Sequence, residues 1–256
     1  MQNMRTARNY VINKPFKAVV LLPPSSVIKS VYPSNPDIYD SIPPKRLELE
    51  ESVFLINIEE EAVIENYISS ITYMLERFGY SVYGPDEMAE FISSGHDAFV
   101  FNIAQLEIME YPDTVRPNIV YNRVYFEQAI QIKTIVQNTW IEFSQLNNDE
   151  RPVKVLFTMQ HTADYIDGEY RVDFRTGNMV YEYTPYRLVN EDVYDLNEFS
   201  GYQTARFAYD FLMNVYVADK TGKPFNVNNY LMIDRDRRMI RRAEPEERFF
   251  IIKLEE

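Results

Sequence analysis

The stretch NIEEEAVIENYISSITYMLERFG, residues 57–79, constrains the fold more than any other part of the chain. Ile64, Ile68, Ile71, Leu75 and Phe78 recur at spacings of four, three, four and three, which aligns them on one stripe of an α-helix. Asn57 and Glu60 have capping-box spacing, and Glu59 to Glu61 put negative charge where the helix dipole favours it. Gly79 stands in the position that ends a helix. A one-striped helix must bury its stripe, and the flanking segments supply the surface. Before it, the continuous apolar run Ala18 to Leu22, closed by Pro23 and Pro24, suits a central strand covered on both faces. After it come the brief strand YSVYG and the short helix PDEMAEFISSG, with Pro85 at its first position and Gly95 past its end. The long strand DAFVFNIAQLEIMEY follows. Right-handed crossovers set these first three strands parallel.

The long strand changes character along its length. Phe99, Val100 and Phe101 are apolar on both faces, whereas Leu106 and Ile108 alternate with Gln105, Glu107 and Met109, as in a strand with one face in water. Residues 118–146 are ambiguous: β-branched and aromatic content favours one long or two shorter strands, and a helix through 124–138 stays open. VKVLFTMQHTADYI is a further strand, and EYRVDF-RTGN-MVYEYTPYRLV is a hairpin whose Gly177 supplies the positive φ of its turn. The segment SGYQTARFAYDFLMNVYV predicts a last helix, striped by Ala205, Ala208, Leu212, Val215 and Tyr216, capped by Ser200 with Gln203 and ended at KTGKP. A hairpin about 234–238 and a strand at 249–254 close the chain. The expected fold class is α/β (α+β): a mixed sheet with a parallel βαβ start, long antiparallel hairpins and helices packed on it. Residues 1–16 read as a polar tail and 17–256 as one domain, with a proline-rich excursion at about 25–51, holding a short strand at SVFLIN, and a hairpin extension at about 226–256.

Composition narrows the function classes. The net charge of −13 repels phosphate backbones, and the cationic stretch RDRRMIRR (235–242) is fenced by Asp234, Asp236, Glu244, Glu246 and Glu247. It reads as a charged, solvated turn, and no nucleic-acid partner is expected. The chain has no cysteine, hence no disulfide, thiolate nucleophile or thiolate metal site. No apolar run approaches the roughly 20 residues that cross a bilayer as a helix. MQNMRTARNY lacks the apolar core of a signal peptide, which leaves a cytoplasmic start or a chain that follows a removed export signal. With 20 Tyr and 16 Phe, half-buried sheet faces and contact surfaces are well supplied.

KAVVLLPP, the helix ending MLERFGYSVYGPDEM, the strand in GHDAFVFNIAQLEI and the hairpin VDFRTGNMVYEY, in that order over residues 17 to 218, resemble the TolB amino-terminal and CsgG-like envelope lipoprotein families. Those families show a first strand ending near proline, a helix leading to a G-Y/F-x-V strand, and a V-D-x-x-T-G-x-x-V hairpin. The resemblance implies an exported, lipid-anchored envelope protein that serves as an assembly or accessory part, periplasmic or outer-membrane-anchored. The lipobox cysteine of such lipoproteins is absent here, and the proline-rich excursion and last forty residues fall outside the pattern.

Chemistry-bearing residues are sparse. His96, in SGHD (94–97), falls in an expected helix-to-strand loop, and triads assemble in space rather than in adjacent positions. His161, Asp164 and Asp167 share a strand end, but odd offsets send His161 and Asp164 to opposite faces. Glu107 and Glu110 diverge by the same rule and read as solvated, whereas paired glycosidase acids must flank one bond. Seven glycines form neither a GxGxxG nor a Walker loop, and the prolines of PPSS remove the donors a phosphate site needs. No catalytic, cofactor or metal residue is assigned. The expectation is a non-catalytic protein that contacts a protein partner or itself through a sheet edge at Pro24, Gly84, Asn102, Gln105, Glu107 and Tyr111. The alternative is an enzyme or small-ligand binder with a pocket at the carboxyl ends of the first strands, around Pro24, Gly84 and Asn102. A cytoplasmic regulatory module follows if Met1 is the native start.

Overall fold

The computed structural model describes residues 2–36, 44–93, 98–145 and 153–252. Helix α1 (Gln2–Asn13) precedes strands β1 (Ala18–Leu22) and β2 (Val27–Val31), helix α2 (Glu60–Phe78), strand β3 (Ser81–Tyr83) and helix α3 (Met88–Ser93). Strands β4 (Ala98–Val115), β5 (Asn118–Tyr121), β6 (Val124–Glu127), β7 (Ile130–Gln145), β8 (Lys154–Ala163), β9 (Tyr165–Val172) and β10 (Met179–Tyr186) follow. Helix α4 (Asn190–Thr221) and strands β11 (Leu231–Asp234), β12 (Met239–Arg242) and β13 (Phe250–Ile252) complete the order.

The main sheet is mixed, as the sequence predicts, with order β13-β8-β7-β4-β1-β3 and β2 also on β4. β1 is parallel to both β3 and β4, and β2 runs parallel to the far half of β4, from Val27↔Leu106 to Val31↔Glu110. One face is covered by α2 and α4. Val19, Leu21, Phe101, Ile103, Leu106, Ile108, Ile135, Ile141 and Leu156 of the sheet share one core with Val63, Tyr67, Ile71 and Leu75 of α2 and Ala205, Ala208, Phe211 and Leu212 of α4. On the other face α3 covers only the start of the sheet, where Phe91 packs with Ala18 and Val20.

Several local expectations need correction. Residues 2–13 are a helix, not a featureless tail: Met4, Ala7, Tyr10 and Val11 form a short inner stripe, and the Tyr10 ring meets Phe16, Tyr209 and Tyr216 within 5.7 Å. The Tyr10 and Tyr80 hydroxyls are hydrogen-bonded to each other. α2 starts at Glu60 without an Asn57 cap; the Glu60 carboxylate accepts from the Val27 amide and joins the helix start to β2. Its stripe is rotated, so that Ile64 and Ile68 sit at its margin while Val63 and Tyr67 are buried. SVFLIN is not a strand: it follows one turn of 3-10 helix, Leu49–Glu51, and ends in another, Leu55–Asn57. α4 begins ten residues before Ser200, which lies buried inside it. Its inner face there is Val193, Leu196, Asn197, Ser200, Gly201 and Thr204, too small and polar for an apolar count to register. At Gly201 a Cβ would lie 2.7 Å from the Ser70 Cβ and 2.8 Å from the Tyr67 carbonyl, so glycine is what lets α4 cross α2 this closely. The ambiguous 124–138 is strand, in β6 and β7. The terminal hairpin forms as expected, but Arg235 is not a solvated charge, since its guanidinium lies 4.5 Å from the Phe78 ring centre. Of the expected strand at 249–254, Phe250–Ile252 is formed and residues 253 and 254 lie outside the described residues, as do Gly95 and the whole SGHD sequence with His96.

Candidate interaction surface

β4 carries four of the six candidate residues but is not the expected edge, since β7 pairs along one side of it and β1 and then β2 along the other. One irregularity decides which way its side chains face. The register against β7 slips between Ile103 and Gln105, a β-bulge at Ala104. Asn102 therefore faces the same way as Gln105, Glu107 and Tyr111, opposite Glu142, Trp140, Asn138 and Thr134 of β7. Four of the six candidate residues thus share the face away from α2 and α4. Pro24 is buried just past β1, and the Gly84 amide donates 2.9 Å to the Glu87 carboxylate at the start of α3. Asn102 donates 3.0 Å to Glu142 across the ladder. Pro24, Gly84 and Asn102 are thus held by separate local contacts rather than by a shared polar centre.

Glu107 and Glu110 are not solvated. Glu107, 7% exposed, accepts from Ser30 Oγ at 2.6 Å and from Arg46 at 3.2 Å. Glu110, 0% exposed, points to the helix side and accepts from Ser52 Oγ (2.6 Å) and the amides of Val53 (3.0 Å) and Phe54 (3.1 Å), with Lys133 Nζ at 3.6 Å. Strand β2 and the segments beside it cover this half of β4, so both acids fasten loops to the sheet. Farther across the same face runs an aromatic row: Trp140 and Phe157 ring centres are 5.0 Å apart, Phe157 and Phe250 6.3 Å. Phe250, Met159 and Ile252 on this face are exposed.

Beyond the body two ribbons project. β4 and β7 continue into the β5–β6 hairpin, turned at Asn122 and Arg123 with φ of 49° and 65°, the left-handed pair that a two-residue turn requires. β9 and β10 pair without a slip from Tyr165↔Tyr186 to Val172↔Met179. Alternation gives this second ribbon two unlike faces. One bears Asp167, Glu169, Arg171, Glu182 and Thr184; the other bears Ile166, Tyr170, Val172, Met179, Tyr181 and Tyr183 around Gly168. A Cβ at Gly168 would stand 2.6 Å from the Tyr183 Cβ and 2.9 Å from the Tyr181 ring, so glycine leaves room for those rings. The Tyr170 hydroxyl donates 2.7 Å to the Pro117 carbonyl, which ties the ribbons together. Exposed apolar side chains are dense here: Val120, Tyr121, Val124, Tyr125, Tyr165, Val180, Tyr186 and, at the tip, Phe174 at 98%. The tip turn is nonetheless held by its own hydrogen bonds. Asp173 accepts from the Arg175 amide and Thr176 Oγ, which hold its carboxyl below the usual range, and Gly177 has φ 73°.

Asp164 roots the second ribbon. Burial alone would raise its pKa, but the Leu188 amide (2.9 Å), the Lys133 amide (3.0 Å) and Arg187 (2.7 Å) outweigh that and leave it below the ordinary carboxylate value. His161 lies exposed on β8 opposite Val136, and Asp167 is out on the ribbon, so the three do not converge. Among the described residues no group of three His, Asp or Glu side chains is placed to hold a metal ion. Also among them, no helix is long and apolar enough to cross a membrane.

A further buried acid lies away from this surface. Asp210 on α4 accepts from the Ile233 amide at 3.2 Å, and burial pushes its pKa to about 7 against the pull of Arg235, Arg206 and Arg241. What fold and surface define is a mixed-sheet α/β protein with two projecting aromatic ribbons. No protein-family model matches the chain, and no curated protein matches it.

Proposed function

We propose that this is a non-catalytic assembly or accessory protein that works by docking its two ribbons, and the aromatic sheet face beside them, onto other protein chains. The observation that carries the reading is the concentration of exposed Tyr, Val and Phe on two-stranded ribbons with free edges. Such ribbons are marginal in water, and contiguous apolar patches on them mark contact sites. The residues at their bases are spent on anchoring, in keeping with a structural role. The cell envelope is the compartment proposed, supported by the quoted TolB- and CsgG-like motifs, and fractionation of cells expressing the native gene tests that part separately.

The docking is tested by placing a photoreactive side chain at Phe174 and, in a second variant, at Tyr121. Adducts that appear with a partner chain or a second copy, and that disappear when Val120, Val124 and Val180 are replaced by serine, are the expected result. Sedimentation of the purified chain as a monomer at every concentration, with no adduct from either position in an envelope fraction, would overturn the proposal.

A further inference from the structure

The side of the molecule opposite the aromatic row carries a second surface with its own chemistry. Two shallow troughs meet along α2. The first, about 600 Å³, has Pro23, Ile64 and Ile68 as an apolar floor and Glu61, Glu65 and Glu76 on its rim. The second, about 480 Å³, lies between α2 and the first half of α4 and is lined by Tyr73, Tyr194, Asp195, Glu198 and Tyr202. Ser69 and Tyr73 belong to both, so the troughs form one path. Tyr73 is 51% exposed at their junction, with the Tyr202 ring centre 6.4 Å away.

The path is charged in one sense only. Glu61, Glu65, Glu76, Asp195 and Glu198 line it, and none forms an ion pair among the described residues; Glu198 accepts only the Tyr202 hydroxyl. A cation nevertheless finds a place beside it: the Arg77 guanidinium lies 5.6 Å from the Tyr73 ring centre. An apolar floor selects aliphatic side chains, and unpaired carboxylates beside tyrosine rings select ammonium or guanidinium groups. An anionic or purely apolar occupant would leave those carboxylates facing like charge or desolvated without a partner.

We infer that the α2–α4 face binds a basic amphipathic segment of a partner protein, its aliphatic side chains on Pro23, Ile64 and Ile68 and its Lys or Arg side chains among Tyr73, Tyr202 and the carboxylates. From Glu61 to Glu76 the helix runs about 22 Å, the length of about four turns of a bound helix. The inference is independent of the ribbons, and its test uses them only as a control.

The probe is a fluorescein-labelled amphipathic Leu/Lys peptide, with a Leu/Glu peptide of the same pattern as control, followed by fluorescence anisotropy at physiological ionic strength. The Leu/Lys peptide binds and the Leu/Glu peptide does not. The double variant Ile68→Ser/Tyr73→Ser and, separately, Glu65→Gln/Glu198→Gln each weaken binding about tenfold or more. Glu169→Gln/Glu182→Gln on the ribbon leaves it unchanged. Circular dichroism confirms that each variant is folded. Absence of binding by the Leu/Lys peptide overturns the inference. So does an equal loss in the ribbon variant, which would assign the binding to the net charge of the molecule rather than to this face.

Discussion

Asp210 offers the sharpest test of the packing between α4 and the terminal hairpin. Its carboxyl moves from an ordinary 3.8 to about 7, first because it is buried, and only in part offset by Arg235, the Ile233 amide, Arg206 and Arg241. Tyr209, Tyr10, Tyr80 and Tyr230 face the same region, each with its own pKa raised by burial, so they are neutral throughout and bring no compensating charge. A folded-state pKa above the unfolded one means that the folded chain holds this proton more tightly. The associated stability is fully present below about pH 3.8 and is lost as pH rises through about 7. At about 1.4 kcal/mol for each pH unit between the two values, ionising Asp210 in place costs about 4 kcal/mol.

Asparagine imitates the protonated acid: Asp210→Asn keeps an oxygen for the Ile233 amide and removes the titration. Urea unfolding of both proteins across pH 4.5 to 8 therefore separates this group from every other carboxylate, because only the difference between them counts. Near pH 4.5, where the unfolded carboxyl is already largely ionised, the variant is expected to be ahead by only about 1 kcal/mol. By pH 8 the variant is expected to be more stable by about 3–4 kcal/mol. A difference that does not change with pH, or a variant that loses stability at pH 8, would refute the assignment of Asp210 as a buried carboxyl without sufficient ionic compensation.

Asp164→Ala removes the acceptor of two amides and Arg187, and is expected to cost about 3 kcal/mol and to speed hydrogen exchange in β9 and β10 before the rest of the sheet. Its depressed pKa has the opposite sign to that of Asp210: the stabilisation is present above the ordinary carboxylate range and lost on acidification, so the wild-type advantage over Asp164→Ala shrinks in unfolding curves taken at falling pH. Glu110→Ala strands the Val53 and Phe54 amides and Ser52, and is expected to cost about 3 kcal/mol in urea unfolding, with early proteolysis near residues 49–57. Gly201→Val forces α4 away from Ser70 and Tyr67, and a loss of about 2–3 kcal/mol in thermal unfolding is expected.

Much of this architecture is legible in the chain, and the failures have identifiable causes. The parallel start, α2, the hairpin turned at Gly177 and the terminal hairpin follow from period and turn chemistry, signals that act locally, whereas residues 124–138 stay ambiguous by period. The bulge at Ala104 was also written there: Phe99, Phe101 and Ile103 step by two, then Leu106 follows after three and Ile108 after two. That missed step places Asn102 and Gln105 on one face. The same parity puts Glu110 in line with Leu106 and Ile108, on the core side, where a carboxylate is tolerated because two amides and a hydroxyl await it. The first ten residues of α4 escaped because their inner face is Asn, Ser, Gly and Thr, selected by close helix crossing rather than by hydrophobicity. The α2–α4 troughs escaped for a related reason. Ile64 and Ile68 belong to the stripe that marks the helix, and no rule of period distinguishes the stripe residues a neighbour will cover from those it will leave at the margin.

The ribbons pose a physical problem that their own pairing does not solve. A two-stranded ribbon has no second layer, so every apolar side chain on it loses less water than one in the core, while the backbone order costs the same. Here three devices hold the second ribbon in place: the Asp164 junction at its root, the Tyr170–Pro117 bond to its neighbour, and the Asp173 and Gly177 turn at its tip. All three are polar or conformational; Tyr170 and Tyr181 are half-buried, while Tyr183 and the Phe174 tip stay exposed. A chain selected only for stability would replace such side chains with polar ones at little cost. Exposed on a ribbon that these contacts tether, they support the docking we propose, because part of the entropy of ordering that surface has already been lost in folding.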